Sequence, residues 1–404
     1  MNRFGVSLIA VLTGTFAGCK DPLPQFDPEL PEPPGNIVTL RGEDSAPVVT
    51  FDSPVFLEFD SDERFFYGVA DAIRLADNTV AIVNQNTSEI FLFDSTGAFK
   101  RSIGRRGSGP GEFQDVNSLI LLNSETVVAF DRQARKAVLF TVLGEFVDEF
   151  RINGPEEASP IGGAALIGAL GRNQLLLWSQ AMPTEREMNL PPNVPAGVPE
   201  VPFSVDLRGQ SGLTLGKFPG IDQWITDASG QVVSYGPAPF GRRTWFGSLG
   251  DKAVVLRNTE PGFRVFLQDG TAHAFYQGAW RARKVTGRDR DRFMENWFTR
   301  LRQEPYWEKL RSMTEGAFPA LTPYFRDAIV GTDAVVWIEP YESCCGDERL
   351  YLGYDSAGEA IGRLHLPAGD RVLEIGNGVL IAARPQELGT ETVYVQRYRM
   401  ARAR

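Results

Sequence analysis

A short apolar strand recurs six times along the chain, and this repeat restricts the possible folds more than any other feature. The copies are TVAIVN (79–84), TVVAFD (126–131), QLLLWS (174–179), KAVVLR (252–257), AVVWIE (334–339) and GVLIAA (378–383). A second strand follows each copy, and in five units a turn glycine and a third strand come next. The turn glycines are Gly97, Gly144, Gly209, Gly270 and Gly358.

With the strand that precedes each copy, the pattern predicts six units of four antiparallel strands. A four-stranded unit cannot bury both of its faces alone, whereas units stacked in a ring can. The sequence therefore predicts an all-β fold, a six-bladed β-propeller over residues 37–404. The last unit lacks an outer strand, and APVVTFDSPVFLEF near the start is well placed to supply it and close the ring. A β-sandwich would not account for six copies of one unit.

The first residues predict export rather than a part of the propeller. Residues 1–19, MNRFGVSLIAVLTGTFAGC, combine the basic Arg3 with an apolar run too short to span a bilayer, which is typical of a signal peptide. The ending FAGC resembles a bacterial lipoprotein cleavage box, so we expect Cys19 to be lipidated. The Pro-rich residues 20–36 would then form a tether. The predicted location is the bacterial cell envelope, on the periplasmic or surface side.

Composition narrows the possible chemistry. The formal net charge of −10 argues against a nucleic-acid partner. The chain contains 2 histidines, His273 and His365, which disfavours a histidine metal cluster or a histidine-based catalytic triad. Cys344 and Cys345 are adjacent, and in an oxidising compartment they would form either a vicinal disulfide or two reduced thiols.

Several stretches resemble a known family. IGRRGSGPGEF, EIFLFDSTGAFKRSIG and TVVAFD are similar to segments of six-bladed propellers of the NHL type, and in particular of exported bacterial propeller proteins. The resemblance covers nearly the whole mature chain and implies a fold rather than an activity. In the NHL pattern an acidic residue usually ends the second strand of a blade. Asp131 and Glu339 match this pattern, but Asn84, Ser179, Arg257 and Ala383 do not.

The strand order predicts which face of the ring carries the long loops. Connections between blades, and those between the second and third strands of a blade, emerge on the same face, and the long insertions fall there. SIGRRGSGPGEF (102–113) is predicted to connect the first two blades, with Phe113 packed into the core. Arg105, Arg106 and Arg257 are candidates for a cationic mouth on this face, or else for solvated surface arginines.

The largest insertion, about 288–318, is predicted to be helical. Phe293, Trp297 and Leu301 recur at four-residue steps with charged residues between them, which indicates an amphipathic helix. The helical segment would pack its apolar stripe on the propeller, or serve as a lid or partner surface.

Three functions remain open at this stage, and the least specific is a purely structural or sensory role. The sequence favours a non-enzymatic, monomeric binding or scaffolding module without a cofactor, which would bind an envelope protein, peptide or glycan on its elaborated face. The alternative is a propeller hydrolase or lyase with a divalent metal ion on the axis. The candidate ligands are amide and carboxylate oxygens, which would favour calcium. Asn84, Asp131 and Glu339 are the candidate ligands for such a metal.

Overall fold

Six four-stranded antiparallel sheets account for most of the described part of this computed structural model. The described residues are 35–60, 64–159, 162–181, 197–227, 232–298, 318–341, 348–386 and 389–400. Cys19, the predicted signal peptide, most of the tether, Cys344 and Cys345, and residues 299–317 of the helical insertion lie outside these ranges. Residues Pro33–Arg404 form one compact unit.

Each sheet is one blade, and its strands follow chain order from the axis outwards. Blade 1 comprises β4 (Val69–Arg74), β5 (Val80–Asn84), β6 (Glu89–Phe93) and β7 (Phe99–Ile103). Blade 2 comprises β8 (Val116–Asn123), β9 (Thr126–Asp131), β10 (Lys136–Thr141) and β11 (Phe146–Arg151). Blade 3 comprises β12 (Ala164–Leu170), β13 (Gln174–Gln180), β14 (Glu200–Asp206) and β15 (Ser211–Thr214).

The other three blades follow the same plan. Blade 4 comprises β18 (Thr244–Leu249), β19 (Lys252–Arg257), β20 (Gly262–Phe266) and β21 (Ala272–Gln277). Blade 5 comprises β22 (Phe325–Val330), β23 (Val336–Pro340), β24 (Glu348–Tyr354) and β25 (Ala360–Pro367). Blade 6 comprises β26 (Arg371–Gly376), β27 (Val379–Pro385), β28 (Glu391–Met400) and, as its outer strand, β2 (Val49–Phe51).

The second strand of each blade is the recurring apolar strand of the sequence, and its burial explains its composition. Every residue of β5 and β23, and every residue of β19 after Lys252, is buried, because neighbouring blades cover both faces of each sheet. A strand covered on both faces reads as a continuous apolar run rather than an alternating one. The outer strand β11, by contrast, exposes its first three residues.

The predicted ring closure is confirmed, and the N-terminal segment does more than close one blade. Strand β2 pairs with β28, and β3 (Val55–Phe56) also pairs with β28. Further upstream, β1 (Ile37–Thr39) adds a parallel fifth strand to blade 4, which the sequence did not indicate. Isolated β-bridges connect the same segment to two further blades. Arg41 and Val48 bridge to the outer strand of blade 5 and the turn before it, and Glu58 bridges to Ala98 of blade 1. Residues 37–58 therefore bind the outer edges of four consecutive blades; we call them the outer belt.

Both large insertions contain regular structure. The connection between blades 3 and 4 includes a hairpin of β16 (Gln223–Asp227) and β17 (Val232–Pro237), which the sequence analysis treated only as a connection. The connection between blades 4 and 5 contains the helix α1 (Gly287–Phe298), which confirms a helical insertion. Phe293 contacts Phe240 and Phe318, with ring centroids 6.1 and 5.7 Å apart, so this part of the apolar stripe packs on the protein.

Because Gly97 packs against the outer belt, we expect the stability of the protein to be sensitive to a side chain at this position. Gly97 and Gly250 both adopt positive φ, +89° and +67°, but a Cβ on Gly97 would lie 2.2 Å from the Phe56 carbonyl oxygen, whereas a Cβ on Gly250 meets nothing within 4 Å. Alanine should cost both sites about 1–2 kcal/mol of backbone strain. We expect Gly97→Ala to lower the free energy of unfolding by roughly 1–3 kcal/mol more than Gly250→Ala, because the belt must move. Urea denaturation measures the difference, and equal losses would show that the belt contact contributes nothing.

Candidate functional site

A cavity of about 1060 Å³ runs along the axis of the ring. The first strand of every blade contributes to its wall, and it reaches from the entry of the inner strands, at Arg243 and Arg371, to the turns at the opposite end, at Gly171 and Asn377. Ligand pockets typically measure about 300–1,000 Å³, so this cavity is large enough for a ligand or for the end of a larger one.

Bulges near the start of the inner strands shape the cavity wall. Five of the six inner strands shift register against their partner strands. A bulge re-aims a side chain and releases backbone groups from the ladder. In four blades a polar residue follows the bulge. These residues are Asp71, Ser118, Asp327 and Glu374.

Three of these polar residues bind backbone N–H groups of the next blade. Leu119 N–H of blade 2 donates to Asp71 Oδ2 at 2.8 Å. Leu166 N–H of blade 3 donates to Ser118 Oγ at 2.9 Å, and Arg74 N–H of blade 1 donates to Glu374 Oε2 at 2.9 Å. Each bond satisfies a backbone donor that faces the axis and joins adjacent blades. The polar wall of the cavity is therefore part of what holds the ring together.

Two of these carboxyl groups titrate near neutrality. Burial raises the pKa of Asp71 to about 7, and hydrogen bonds from Leu119 and Ala72 only partly offset this effect. Burial likewise raises the pKa of Glu374 to about 7, against the hydrogen bond from Arg74. Perturbed carboxyl groups in a cavity are typical of functional sites, although structural networks produce them too.

Blades 4 and 5 are joined by a charged network around Asp327. Trp245 Nε1 donates to Asp327 Oδ1 at 2.9 Å, and Tyr351 OH donates to Asp327 Oδ2 at 2.8 Å. Arg349 donates to the same Oδ2 and, at 2.8 Å, to Glu339 Oε2. Burial alone would raise the pKa of Asp327, but the Arg349 and Arg243 guanidinium groups outweigh it and lower the pKa. Asp327 is thus a fixed negative charge.

Arg243 directly precedes β18 of blade 4 and lies where the inner strands begin, at the end of the cavity that we call the mouth. Its guanidinium carbon sits 4.7 Å from the centroid of the Trp245 ring, a cation–π distance. Glu200, at the start of β14, also lines the cavity and is half-buried. Burial raises the pKa of Glu200 to about 8, although the Arg243 charge acts in the opposite direction.

The three candidate metal ligands lie at the ends of second strands in three different blades. Tyr67 N–H donates to Asn84 Oδ1 at 3.0 Å, and Gln114 N–H donates to Asp131 Oδ2 at 2.6 Å, so both side chains hold the chain that enters their own blade. Glu339 binds Arg349 and lies 3.6 Å from Arg326. The described residues contain no group of three His, Cys, Asp or Glu side chains arranged to hold a metal ion. The alternative metal-dependent function stays a prediction.

The three candidate arginines of the sequence are each engaged outside the cavity lining. Arg105 pairs with Glu112 at 2.7 Å, and Arg106 donates to the Asn86 carbonyl oxygen at 3.0 Å. Arg257 is only 4% exposed and lies 3.8 Å from Glu260. In the described part of the chain, the arginines that line the cavity are instead Arg74, Arg243, Arg349 and Arg371.

The glycine-rich connector holds an anion of its own. Gly109 N–H donates to Glu112 Oε2 at 2.9 Å, and Arg105 Nε donates to Glu112 Oε1 at 2.7 Å. The loop therefore surrounds an internal carboxylate. Phe113 is fully buried, as the sequence predicted.

The acidic residues of the axis were not predicted from the sequence, although one sequence signal pointed to them. The segments ADAIR and RDAIV repeat Asp-Ala-Ile in the first strands of blades 1 and 5, at Asp71 and Asp327. An isolated acid inside an otherwise apolar strand marks a position that needs a partner. Glu200 and Arg243, in contrast, belong to no local pattern.

Comparison with known proteins supports the fold. The family model "DUF5128: 6-bladed beta-propeller" matches residues 49–155, which hold β2 and the first two blades. Together with the six observed sheets, this match confirms the predicted six-bladed propeller. No curated protein matches the chain significantly.

Solved structures with a similar chain path share little sequence with this protein. A candidate exported protein (BF0058) from Bacteroides fragilis NCTC 9343 is 12% identical, over 91% of this chain and 100% of that one, with a TM-score of 0.48. A DUF4221-family member from Bacteroides vulgatus is 14% identical, over 88% and 99%, with a TM-score of 0.49. The calcium-binding protein regucalcin from Agrobacterium tumefaciens is 10% identical, over 89% and 94%, with a TM-score of 0.35. Likenesses this distant say nothing of what this chain binds.

No helix within the described ranges is long and apolar enough to cross a bilayer.

The raised pKa of Glu374 predicts a pH-dependent stability. The folded protein keeps a proton that the unfolded chain, with the usual value of 4.5, releases. The stability that this proton provides is present at acid pH and is lost as pH rises from 4.5 to about 7. Glu374→Gln retains an acceptor for the Arg74 N–H and does not titrate. Between these pH values the wild type should lose up to about 3 kcal/mol of unfolding free energy relative to the variant. Denaturant titrations at several pH values measure this, and a constant difference would contradict it.

Proposed function

We propose that the chain is a monomeric, non-enzymatic binding propeller of the bacterial cell envelope, which takes part of a peptide or glycan ligand into its axial cavity. The observation that carries the proposal is the axial cavity of about 1060 Å³, with charged and aromatic residues in its wall. Trp178, Trp245 and Phe246 supply apolar surface, while Glu200 and Arg243 supply polar groups at the mouth. This combination is typical of ligand sites.

The position of the insertions also supports ligand binding at the mouth of the cavity. The β16–β17 hairpin and α1 both lie in connections that enter an inner strand, so they emerge on the side where Arg243 and Arg371 lie. Loops on a rigid scaffold usually carry binding. The rigid part here is the ring of inner strands, whose side chains are bonded from blade to blade.

The envelope location rests on the sequence. The signal-like residues 1–19, the cleavage-box cysteine Cys19 and the Pro-rich tether would place the propeller at a membrane surface after export. In that position its ligands would be envelope peptides, proteins or glycans.

A cavity-filling variant tests the proposal. Ile167 is half-buried at the bulge of β12 and lines the cavity, whereas Leu143 is 60% exposed in an outer turn of blade 2. Ile167→Trp should narrow the cavity with a larger side chain, and Leu143→Trp adds the same side chain elsewhere. Ligands found by thermal-shift screening of envelope peptides and oligosaccharides should bind the wild type and Leu143→Trp equally.

Isothermal titration of the same ligands should show at least about tenfold weaker binding to Ile167→Trp, a change of roughly 1.4 kcal/mol. Circular dichroism and melting curves confirm that both variants fold. Unchanged affinity in Ile167→Trp would show that ligands bind elsewhere on the propeller.

A further inference from the structure

Two charged side chains at the cavity mouth differ from the other charged residues in its lining. Six of the lining residues form hydrogen bonds through their charged groups. These are Asp71, Arg74, Asp327, Arg349, Arg371 and Glu374. Glu200 and Arg243 also line the cavity, but their charged groups form no hydrogen bond or ion pair with the described residues. They are available to a ligand.

Arg243 is nevertheless held in place. Its backbone N–H donates to Asn258 Oδ1 at 3.0 Å, and its guanidinium carbon lies 4.7 Å from the Trp245 ring centroid. Trp245 is fixed in turn by its 2.9 Å hydrogen bond to Asp327. Arg243 is an exposed residue, and the contact with the Trp245 ring favours one orientation of its guanidinium, which lowers the entropic cost of binding. Its hydrogen-bonding groups remain unused.

Glu200 is fixed through its backbone as well. Its N–H donates to the Phe218 carbonyl oxygen at 2.7 Å, and Phe218 N–H donates back to the Glu200 carbonyl oxygen at 2.8 Å. The carboxyl group is half-buried, and burial raises its pKa to about 8. At neutral pH the group therefore keeps its proton and can donate a hydrogen bond. The protonated Glu200 carboxyl and the Arg243 guanidinium can then both donate hydrogen bonds to a ligand.

Arg243 and Glu200 both line the cavity at its mouth but do not pair with each other. The Arg243 charge acts on the Glu200 carboxyl, yet the two form no ion pair, so their charged groups are not in direct contact. The other arginine of the mouth, Arg371, already donates to Glu391 and to the Val69 carbonyl oxygen, at 2.7 and 2.6 Å. Among the described residues of the mouth, Arg243 is thus a cation whose hydrogen-bond donors are unpaired, and its single charge matches that of a carboxylate.

We infer that the cavity mouth at Arg243 and Glu200 binds a carboxylate group of the ligand, with the guanidinium and the Glu200 carboxyl group as hydrogen-bond donors. Trp178, from the second strand of blade 3, also lines the cavity and offers apolar surface to the rest of the acid. This inference rests on the proposed function, because it places the ligand in the same cavity. A peptide C-terminus and a sugar acid share the required chemistry.

Matched acid and neutral probes test the inference by isothermal titration. The pairs are benzoate with benzamide, glucuronate with glucose, and a short peptide with a free or an amidated C-terminus. At least one acid should bind more tightly than its neutral partner. The pair that shows the difference identifies whether the natural source is a peptide end or a sugar acid.

Variants at the two positions should separate the donors. Arg243→Gln should weaken binding of the acid by about 10- to 100-fold, as expected for loss of a charge-assisted hydrogen bond. Arg106→Gln, an exposed arginine outside the cavity lining, should leave affinity unchanged. Glu200→Gln keeps a donor and should bind within a few-fold of the wild type, whereas Glu200→Ala should bind more weakly. Melting curves show whether each variant is folded.

Three results would overturn the inference: no probe binds, acids bind no better than their neutral partners, or Arg243→Gln behaves like Arg106→Gln. The cavity-filling variant Ile167→Trp distinguishes the two proposals. If neutral ligands bind and are lost in Ile167→Trp, the proposed function holds and the carboxylate inference fails. If acid binding survives in Ile167→Trp, both fail.

Discussion

Hydrogen bonds from the polar residues of one inner strand to the backbone of the next are the constraint on which the rest of the structure depends. The first strands of adjacent blades do not form a continuous ladder, so their backbone N–H groups near the axis need other acceptors. A buried N–H left without a partner costs about 1–3 kcal/mol. Asp71, Ser118 and Glu374 supply these acceptors, and their polar atoms give the axial wall its character.

The ring is held from the outside as well. The outer belt, residues 37–58, pairs with or bridges to blades 4, 5, 6 and 1, so separating those blades would also require the belt to detach. Inner bonds and outer belt together fix the spacing of the inner strands. That spacing keeps an open cavity on the axis and places Arg243 beside Trp245 and the Asp327 network. The arrangement of the mouth therefore depends on the closure of the ring.

The blades could be predicted from the sequence because each repeats a buried strand whose composition follows from burial on both faces. Ring closure could be predicted too, since the last unit lacked a strand. The parallel pairing of β1 could not, because a three-residue strand carries no register signal and takes its place from the blade it meets. For the site, the strand-end residues Asn84 and Asp131 were candidate metal ligands in the sequence. In the structure their side chains accept hydrogen bonds from loop backbone. Glu200 begins β14 and Arg243 lies in the connection before β18, and only the folded ring brings them to one mouth.

The central claim is that the axial cavity, rather than the outer rim, receives the ligand. A high-resolution crystal structure of the protein with a bound ligand tests this claim most directly. The account predicts electron density for the ligand inside the ring, with an acid group between the Arg243 guanidinium and the Glu200 carboxyl group. A ligand bound on α1, on the β16–β17 hairpin or along the outer strands, with only solvent in the axial cavity, would contradict it.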